Sequence, residues 1–561
     1  VIYGFIQHFG LDWHIWKGAF GNRIFSTFGN PNFYAAWIVL LLPLVLVRYM
    51  LTKKWYYLVL AAGIFINIYL TGTKGSWVGL AVGLSFFVVF STLYLIKGNV
   101  KKLKRIALTL TVTIVVVVGS GITWYSINRI NSLRFRLFTW GAAMKMVTEP
   151  IYTNPVKAVV LGTGIETFNL VYPAYRRPEI FHIEGKHNTQ TDHAHNEFLE
   201  ILYDEGIVGL TAYLWLLVCV YFVAVKRLAL KGVGGSAESE EEHYLVALIG
   251  GTVGMFAHSA MSVHIRFVSS GYILWALMGF IVVFTAPVKE GKIKPAGGSP
   301  LIKNLIILLL LTVAAGNYVW AARRFKANIY HNRAIAFSKQ RRWKEALRYY
   351  NLVQKNHPSF IMGYYFEGNV YNDMLGQALE SGNRIRIREN YEKALATYKK
   401  VRSMYPNYVQ VHFQEGMLHL KVGNVREAEI SFRKYLNIVD PVYPHTYYRL
   451  GTIETRSYNN MEKAAWYMEE AVNRTRRDSD YINSVMNLAN IYMLRQDFAK
   501  AEETYIEGLN KIPGSRNMLT ALASLYENTG NNQRALDIYK EILRQAPGSG
   551  EIQEKIKSLQ N

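Results

Sequence analysis

The sequence has 561 residues, of which 51% are hydrophobic and only 18% charged, and its formal net charge is +23. Its apolar content excludes a disordered chain, and its single cysteine, Cys219, excludes a disulfide-stabilised scaffold. These averages conceal a boundary near residue 325, where long apolar runs give way to a polar, Tyr-rich chain with a helical pattern. The composition therefore predicts a membrane protein that carries a soluble domain after its last span.

Runs of about 20 largely apolar residues are long enough to cross a bilayer as helices. About eight stretches meet or approach this length: 32–48, 55–71, 76–96, 106–127, 197–225, 244–264, 267–286 and 301–322. The stretch 197–225 is long for one crossing, so we expect its first turns to project above the membrane. Because the chain opens with Val1 rather than Met and shows no secretory signal, we also expect earlier spans to be missing.

The distribution of Lys and Arg orients these spans, because short loops rich in basic residues stay in the cytoplasm. Alternate connections hold 15 basic residues, whereas the opposite short connections hold little besides Lys74 and Arg266. This pattern places residues 1–31, the loop from about 128 to 195 and everything after 322 outside the cytoplasm. Since the loops account for much of the net charge, that charge does not indicate nucleic-acid binding.

The chain after residue 325 repeats with a period of 34 residues. Small, aromatic and Pro residues recur at that spacing in the last two copies: Ala489, Tyr492, Ala501, Tyr505 and Pro513, then Ala523, Tyr526, Ala535, Tyr539 and Pro547. This is the tetratricopeptide period, in which each repeat is a pair of antiparallel helices. Four weaker copies share the frame, one stretched by an insertion near 379–389. We therefore predict an α-solenoid of about six repeats over 326–561, with aromatic residues in its core and a partner on its concave face.

The predicted outer loop 128–195 and the start of the next span hold the densest set of reactive side chains: Arg134, Arg136, Arg176, Arg177, Asp192, His193, His195 and Glu197. Arginine offers planar, bidentate donors that suit phosphate, and imidazole titrates near neutral pH and can assist a hydroxyl nucleophile. His195 is therefore a candidate base or hydrogen-bonding residue at a membrane-surface site. The alternative is that these charges merely decorate an interfacial loop.

Three other features of the sequence have competing interpretations. His193 and His195 are two positions apart and would point to different faces of a helix, so we predict no metal site there. Gly162-Thr-Gly164 lacks the third glycine of a dinucleotide fingerprint, which favours a turn. Lys74, in a short outer connection, either extends toward lipid headgroups or faces a site.

Three segments of the sequence carry a family resemblance. His195-Asn196, nine residues and then Gly206-Ile-Val-Gly209 match the pattern H-[NSQ]-x9-G-x-x-G. Arg136-x-x-x-Trp140 resembles an outer-loop segment that supplies a functional arginine, although Arg134 also fits that role. The run 71–80 resembles an S-R-G-x-x-L element, with Lys74 where arginine is usual. Together they resemble the O-antigen ligase / Wzy-type polymerase family of membrane glycosyltransferases, over roughly residues 20–285.

The resemblance implies a polytopic helical domain over 1–325 that transfers a glycan from an undecaprenyl-diphosphate carrier to an acceptor hydroxyl. It places this reaction on the outer side of a bacterial cytoplasmic membrane, without a metal or other cofactor and with inversion at the anomeric carbon. His195 would activate or orient the acceptor, while Arg136 and Lys74 would stabilise the leaving diphosphate. The remaining candidates for substrate binding are Arg134, Arg176, Arg177 and Asn196.

Several functions remain open at this level. The motifs do not separate ligation to lipid A-core, polymerisation of repeat units and glycosylation of a protein. A non-catalytic, membrane-anchored scaffold for envelope assembly is favoured by Lys74 but opposed by the intact His195 motif. A transporter would carry ionisable residues deep within its spans, and no Asp, Glu, Lys or Arg lies well inside the first six candidates.

Overall fold

A computed structural model describes residues 1–12, 20–95, 105, 108–113, 130–151, 153–184, 191–232, 240–285, 300–475 and 478–560. All regular structure in these ranges is helical, which confirms the all-α fold class. The predicted span 106–127 lies mostly outside the described residues. The chain divides into two compact units, one formed by Val1–Tyr172 with Thr191–Gly291 and the other by Pro173–Gln190 with Lys292–Asn561.

The first unit contains most of the apolar helices. In chain order its helices are α1 (Ile2–His8), α2 (Pro31–Thr52), α3 (Tyr56–Thr71), α4 (Lys74–Phe90), α5 (Ile130–Thr148), α6 (Pro155–Leu161) and α7 (Phe168–Val171). Helix α8 (Glu179–Glu184) belongs to the second unit. The first unit continues with α9 (Glu197–Gly232), α10 (Glu240–Ser259) and α11 (Val268–Thr285).

Five of the described helices are long and apolar enough to cross a membrane: Pro31–Thr52, Lys74–Leu95, Glu197–Ala229, Val268–Thr285 and Leu301–Lys339. Helix α3 is apolar but has only 16 residues. Helix α10 opens with three glutamates and carries several glycines and two histidines, which makes it less apolar. The predicted number of eight spans was therefore approximate, because α3 and α10 were counted on weaker grounds than the other helices.

A line of glycines joins α4 to α10. A Cβ atom on Gly79 would lie 2.5 Å from the Gly254 carbonyl oxygen, and one on Gly83 would lie 2.7 Å from the Gly250 carbonyl oxygen. Lipid is as apolar as the helices, so packing in a membrane depends on the close backbone approach that small residues permit. This glycine seam fixes the position of the N-terminus of α4, where Lys74 lies.

We expect Gly79→Ala to destabilise the first unit by about 2 kcal/mol, because the added methyl group overpacks a backbone contact. The loss should appear as a lower melting temperature in detergent. Gly279→Ala on α11 is the matched control, since a Cβ atom there would meet nothing within 4 Å. Equal melting temperatures for the two variants would contradict the importance of the seam.

Helix α9 is broken at Gly206, whose φ of 69° and ψ of −168° are not helical. The amides of Thr163 and Gly164 donate to the carbonyl oxygens of Tyr203 and Asp204 at 2.8 and 3.0 Å. The Gly162-Thr-Gly164 segment is therefore the predicted turn, and it pairs with carbonyl groups beside the break. Position 206 requires glycine for a steric reason, since a Cβ atom there would lie 2.4 Å from the Val160 carbonyl oxygen.

From Pro300 onward, the described part of the second unit is an α-solenoid of six successive helix pairs and a final helix. The pairs are α12 (Pro300–Lys339) with α13 (Trp343–Asn356), α14 (Ile361–Glu380) with α15 (Arg384–Met404), α16 (Val409–Lys421) with α17 (Val425–Lys434), α18 (Pro444–Arg456) with α19 (Met461–Arg474), α20 (Asp478–Leu494) with α21 (Phe498–Lys511), and α22 (Arg516–Asn528) with α23 (Asn532–Gln545). The final helix is α24 (Gly550–Gln560).

The aromatic residues of the repeats are core residues, as predicted. Tyr398 and Phe432 are fully buried, and their rings lie against Gly368 and Gly416 in the preceding helices. A Cβ atom on either glycine would come within 2.6 Å of the facing ring, so small and aromatic positions are matched in these two helix pairs. The insertion near 379–389 lengthens α14 and α15 to 20 and 21 residues.

The second unit also contains a segment that precedes His195 in the chain. Arg176 in this segment donates from Nε to Asp440 Oδ1 at 3.2 Å and pairs through Nη2 with Oδ2 of the same carboxylate. Both side chains are buried, and the guanidinium lies 4.6 Å from the centre of the Phe181 ring. The buried ion pair between Arg176 and Asp440 thus binds segment 173–184 to the repeats.

Candidate active site

His195 lies in a tight turn that leads into α9. Its φ of 55° is left-handed, a conformation that costs a non-glycine residue about 1 kcal/mol and needs support from its surroundings. Part of this support comes from Asn196, whose Oδ1 accepts hydrogen bonds from the amides of Phe198 and Leu199 at 3.1 and 3.2 Å. Asn196, predicted to bind substrate, therefore caps the N-terminus of α9 in this structure.

Glu200 holds the other side of the turn. Its buried carboxylate lies 2.7 Å from His193 Nδ1 through Oε1 and accepts the amide of Ala194 at 2.6 Å through Oε2. The carbonyl oxygen of Ala194 in turn accepts a hydrogen bond from Trp140 Nε1 on α5, at 3.0 Å. The backbone just before His195 is thus held by side chains from two helices.

The surroundings shift the pKa values of His193 and His195 in opposite directions. Burial, followed by the charges of Arg136 and His193, lowers the pKa of His195 to about 4. Burial also acts to lower the pKa of His193, but the hydrogen bond and charge of Glu200 outweigh it, so that pKa is raised. At neutral pH His195 is consequently a neutral imidazole that can accept a proton.

Arg136 extends from α5 toward the same region. Its Nη1 lies 3.4 Å from Ser132 Oγ on its own helix, and the neighbouring ring of Phe135 lies 6.1 Å from the ring of His195. Burial and then the charge of Arg23 lower the pKa of Arg136. Arg136 therefore lies within electrostatic range of both His195 and a second arginine.

That second arginine, Arg23, was not among the predicted site residues. Its Nε donates to the Thr71 carbonyl oxygen at 2.7 Å, and its Nη2 donates to Thr73 Oγ1 at 3.1 Å and Asn32 Oδ1 at 3.2 Å. Thr73 is the N-cap residue of α4, and Lys74 follows it as a half-exposed residue. Arg23 is thus hydrogen-bonded beside the Lys74 end of α4 and lies within electrostatic range of Arg136.

The structure distributes the remaining predicted residues differently. Arg134 is exposed on α5. Arg177 is exposed and donates to Glu179 Oε1 at 2.8 Å, and both it and the buried Arg176 belong to the second unit. In the first unit, the described interactions connect His195, Arg136 and the start of α4.

The acidic residues at the start of α9 have partners. Arg266 donates from Nε to Glu197 Oε1 at 3.1 Å and from Nη1 to Asp204 Oδ2 at 2.7 Å. Glu200 is occupied by His193, as described above. Within the described ranges no group of three or more His, Cys, Asp or Glu side chains is placed to hold a metal ion.

The pH dependence of activity tests the electrostatic effect of Arg136 on His195. Because the pKa of His195 is lowered to about 4, the neutral base persists down to that pH, and kcat/KM should fall only as the pH drops through about 4. Arg136→Gln removes a positive charge that disfavours the imidazolium form, so the pKa of His195 should rise. The acid side of the pH–rate profile should then move to higher pH, even if the maximal rate is lower. Lys145→Gln, an exposed change on α5, is the control. If the acid side of the pH–rate profile stayed at the same pH, Arg136 would have no electrostatic effect on His195.

Comparison with known proteins gives two family matches. Residues 57–214 match the O-antigen ligase family, and residues 486–550 match the tetratricopeptide repeat. All seven predicted site residues fall within the first match, whereas Arg23 lies outside it.

Two curated relatives and a solved structure are also similar to parts of the chain. Human protein O-mannosyl-transferase TMTC3 is 27% identical over 241 residues, which cover 37% of this chain and 26% of that protein. Mouse tetratricopeptide repeat protein 8 is 29% identical over 99 residues, covering 18% and 17%. The chain thus spans about a quarter or less of these relatives. The structure of PilF from Pseudomonas aeruginosa is 15% identical with a TM-score of 0.31, covering 42% of this chain and 97% of that one.

Proposed function

We propose that this chain, which matches the O-antigen ligase family over residues 57–214, transfers a glycan from an undecaprenyl-diphosphate carrier to an acceptor hydroxyl. The observation that carries the proposal is a neutral, half-buried His195 within electrostatic range of Arg136. A base without a charge can take a proton from a hydroxyl, and a neighbouring arginine can offset the charge of a departing phosphate.

In the proposed reaction His195 accepts the proton of the acceptor hydroxyl while its oxygen attacks the anomeric carbon. The bond between that carbon and the phosphate oxygen breaks, and the diphosphate leaves with the electron pair. Arg136 and Lys74 offset its growing negative charge, a role in which preorganised cations favour the transition state. A single displacement of this kind inverts the anomeric centre.

The proposed setting is the outer side of a bacterial cytoplasmic membrane, with the repeats on the same side. This orientation rests on the basic loops that the sequence places on the opposite side. Lipid A-core, a second lipid-linked glycan and a protein are the candidate acceptors. The similarity to a protein named as an O-mannosyl-transferase, together with the repeats, favours a protein acceptor as a second candidate function.

Reconstitution tests the proposal. The full-length protein would be given an undecaprenyl-diphosphate oligosaccharide with EDTA present and one of three acceptors: lipid A-core, a second lipid-linked unit or envelope protein. We expect transfer to one of them, which would also identify the subclass and show that no chelatable metal is required. Binding of the carrier without transfer to any acceptor would favour the membrane-anchored scaffold instead.

A further inference from the structure

Helix α12 runs without a break from the last candidate span into the first tetratricopeptide repeat. Residues 301–322 carry a single charged side chain, Lys303, and all of them up to Trp320 are exposed. At about 1.5 Å per residue they are long enough to cross a hydrocarbon core of about 30 Å. Trp320 lies near the end of the stretch, as aromatic residues at a membrane–water boundary do. Arg323 and Arg324, which follow, therefore lie at the level of the lipid headgroups.

A cavity of about 320 Å³ opens at this level of α12. One wall is a single face of the helix, because Gly316, Trp320 and Arg324 are four residues apart and Arg323 lies beside them. The other wall is the turn 356–359, which joins α13 to α14. The cavity is thus apolar toward the span and cationic toward the repeat.

The ring of Trp320 holds Arg324 at the cavity. The guanidinium carbon of Arg324 lies 3.5 Å from the centre of that ring. Stacking uses the face of the guanidinium and leaves the N–H groups at its edge for a ligand. Across the cavity, burial and then the charge of Arg324 lower the pKa of His357, so this imidazole is neutral at pH 7. The positive charge at the cavity therefore comes from the arginines.

The first repeat has very few carboxylates to neutralise these arginines. Between residues 300 and 366 the only acidic residue is Glu345, against eleven Lys and Arg. Glu345 pairs with Arg342 at the N-terminal end of α13, whereas the cavity lies at the C-terminal end of that helix. In the described part of the chain, neither Arg323 nor Arg324 has a carboxylate within ion-pair distance. A basic surface of this kind beside a bilayer attracts anionic lipid.

We propose that this cavity binds an anionic phospholipid, which holds the first repeat to the membrane surface. Arg323 and Arg324 donate to the phosphate oxygens, and an acyl chain lies along α12 over Gly316. The apolar end of the cavity continues the lipid-facing surface of the span, so a lipid fills both ends whereas a free phosphate fills only one. The site is independent of glycan transfer and lies outside both matched family segments.

Native mass spectrometry of the delipidated, full-length protein tests the site. The probes are phosphatidylglycerol, phosphatidylcholine with the same acyl chains, and glycerol 3-phosphate, which carries the phosphate without the chains. We expect phosphatidylglycerol to bind most tightly. The double variant Arg323→Gln/Arg324→Gln should weaken this binding about tenfold, to the level of phosphatidylcholine, as the loss of charge-assisted hydrogen bonds would.

Two further variants separate the cavity from a general attraction to basic residues. Arg333→Gln/Lys339→Gln removes the same charge from exposed positions on α12, more than two turns beyond Arg324, and should leave the affinity for phosphatidylglycerol unchanged. Gly316→Leu keeps every charge but fills the apolar end of the cavity, so it should weaken this binding. The helix accommodates the change, because a Cβ atom at Gly316 would meet nothing within 4 Å.

Each outcome decides for or against the lipid. Melting temperatures identify folded variants, and Arg323→Gln alone, an exposed change, replaces the double variant if that variant does not fold. Undiminished affinity for phosphatidylglycerol in the folded arginine variant would overturn the site, as would equal losses in the two double variants. Glycerol 3-phosphate binding as tightly as phosphatidylglycerol would also overturn it, because the ligand would then be a small anion.

Discussion

His195→Ala should reduce glycan transfer by about a factor of 10² to 10⁴, the range for loss of a positioned acid or base. The imidazole is neutral at pH 7, and Trp140 and Glu200 hold the backbone turn that carries it. The loss should appear in kcat, because the proposed mechanism assigns the diphosphate of the carrier to Arg136 and Lys74 on other helices. Turnover of a lipid-linked oligosaccharide, with carrier binding measured in parallel, would show it.

Two variants make this result specific. His8→Ala removes an exposed histidine from α1 and should transfer normally. Glu200→Gln keeps the size of the side chain but replaces one acceptor by a donor at the turn, so its kcat should fall less than that of His195→Ala. Normal turnover in His195→Ala would remove this residue from the site and leave the scaffold function as the better interpretation.

The parts of the fold that local patterns control were predictable. The period of 34 residues located the helix pairs of the solenoid, because small and aromatic residues must face each other wherever two helices cross. The Gly162-Thr-Gly164 turn was predicted from its missing third glycine. The number of spans was harder to predict, because a glycine-rich helix such as α10 packs through its backbone and does not need a continuous apolar sequence.

The residues that the sequence analysis missed act over long separations. Arg23 contacts Thr71 and Thr73 about fifty positions later in the chain. The ring of His258, on α10, lies against Gly75 on α4. No periodicity connects such pairs.

Glu200 could have been suspected, since it lies one turn after Glu197 on α9, but its two bonds depend on the left-handed backbone of His195. The available signal for Arg23 was a lone arginine on a predicted outer segment.

Arg176 has two possible roles, one in substrate binding and one in the fold. Arg176 and Arg177 are adjacent and were predicted together as ligands of an anionic substrate. In the structure the first forms a buried pair with Asp440, while the second forms an exposed pair with Glu179. Substrate binding by Arg176 remains a proposal, and the buried pair gives a competing structural role that can be measured.

Asp440→Asn should destabilise the second unit by about 3–5 kcal/mol, because it leaves the buried charge of Arg176 without its partner. Arg177→Gln, next in the chain, should cost at most about 1 kcal/mol, because its pair with Glu179 is exposed. Unfolding of the full-length protein in denaturant and proteolysis of segment 173–184 would measure both effects. Equal losses for the two variants would contradict the structural role of the buried pair.

The double variant Arg176→Met/Asp440→Leu decides between the two roles of Arg176. Replacing both charges by apolar groups of similar size removes the unpaired charge, so stability should recover relative to Asp440→Asn. If Arg176 serves only the fold, this variant should transfer glycan normally. If it also binds the donor or acceptor, KM should rise although the protein is stable. The separation arises because stability depends on the pair, whereas substrate binding depends on the guanidinium alone.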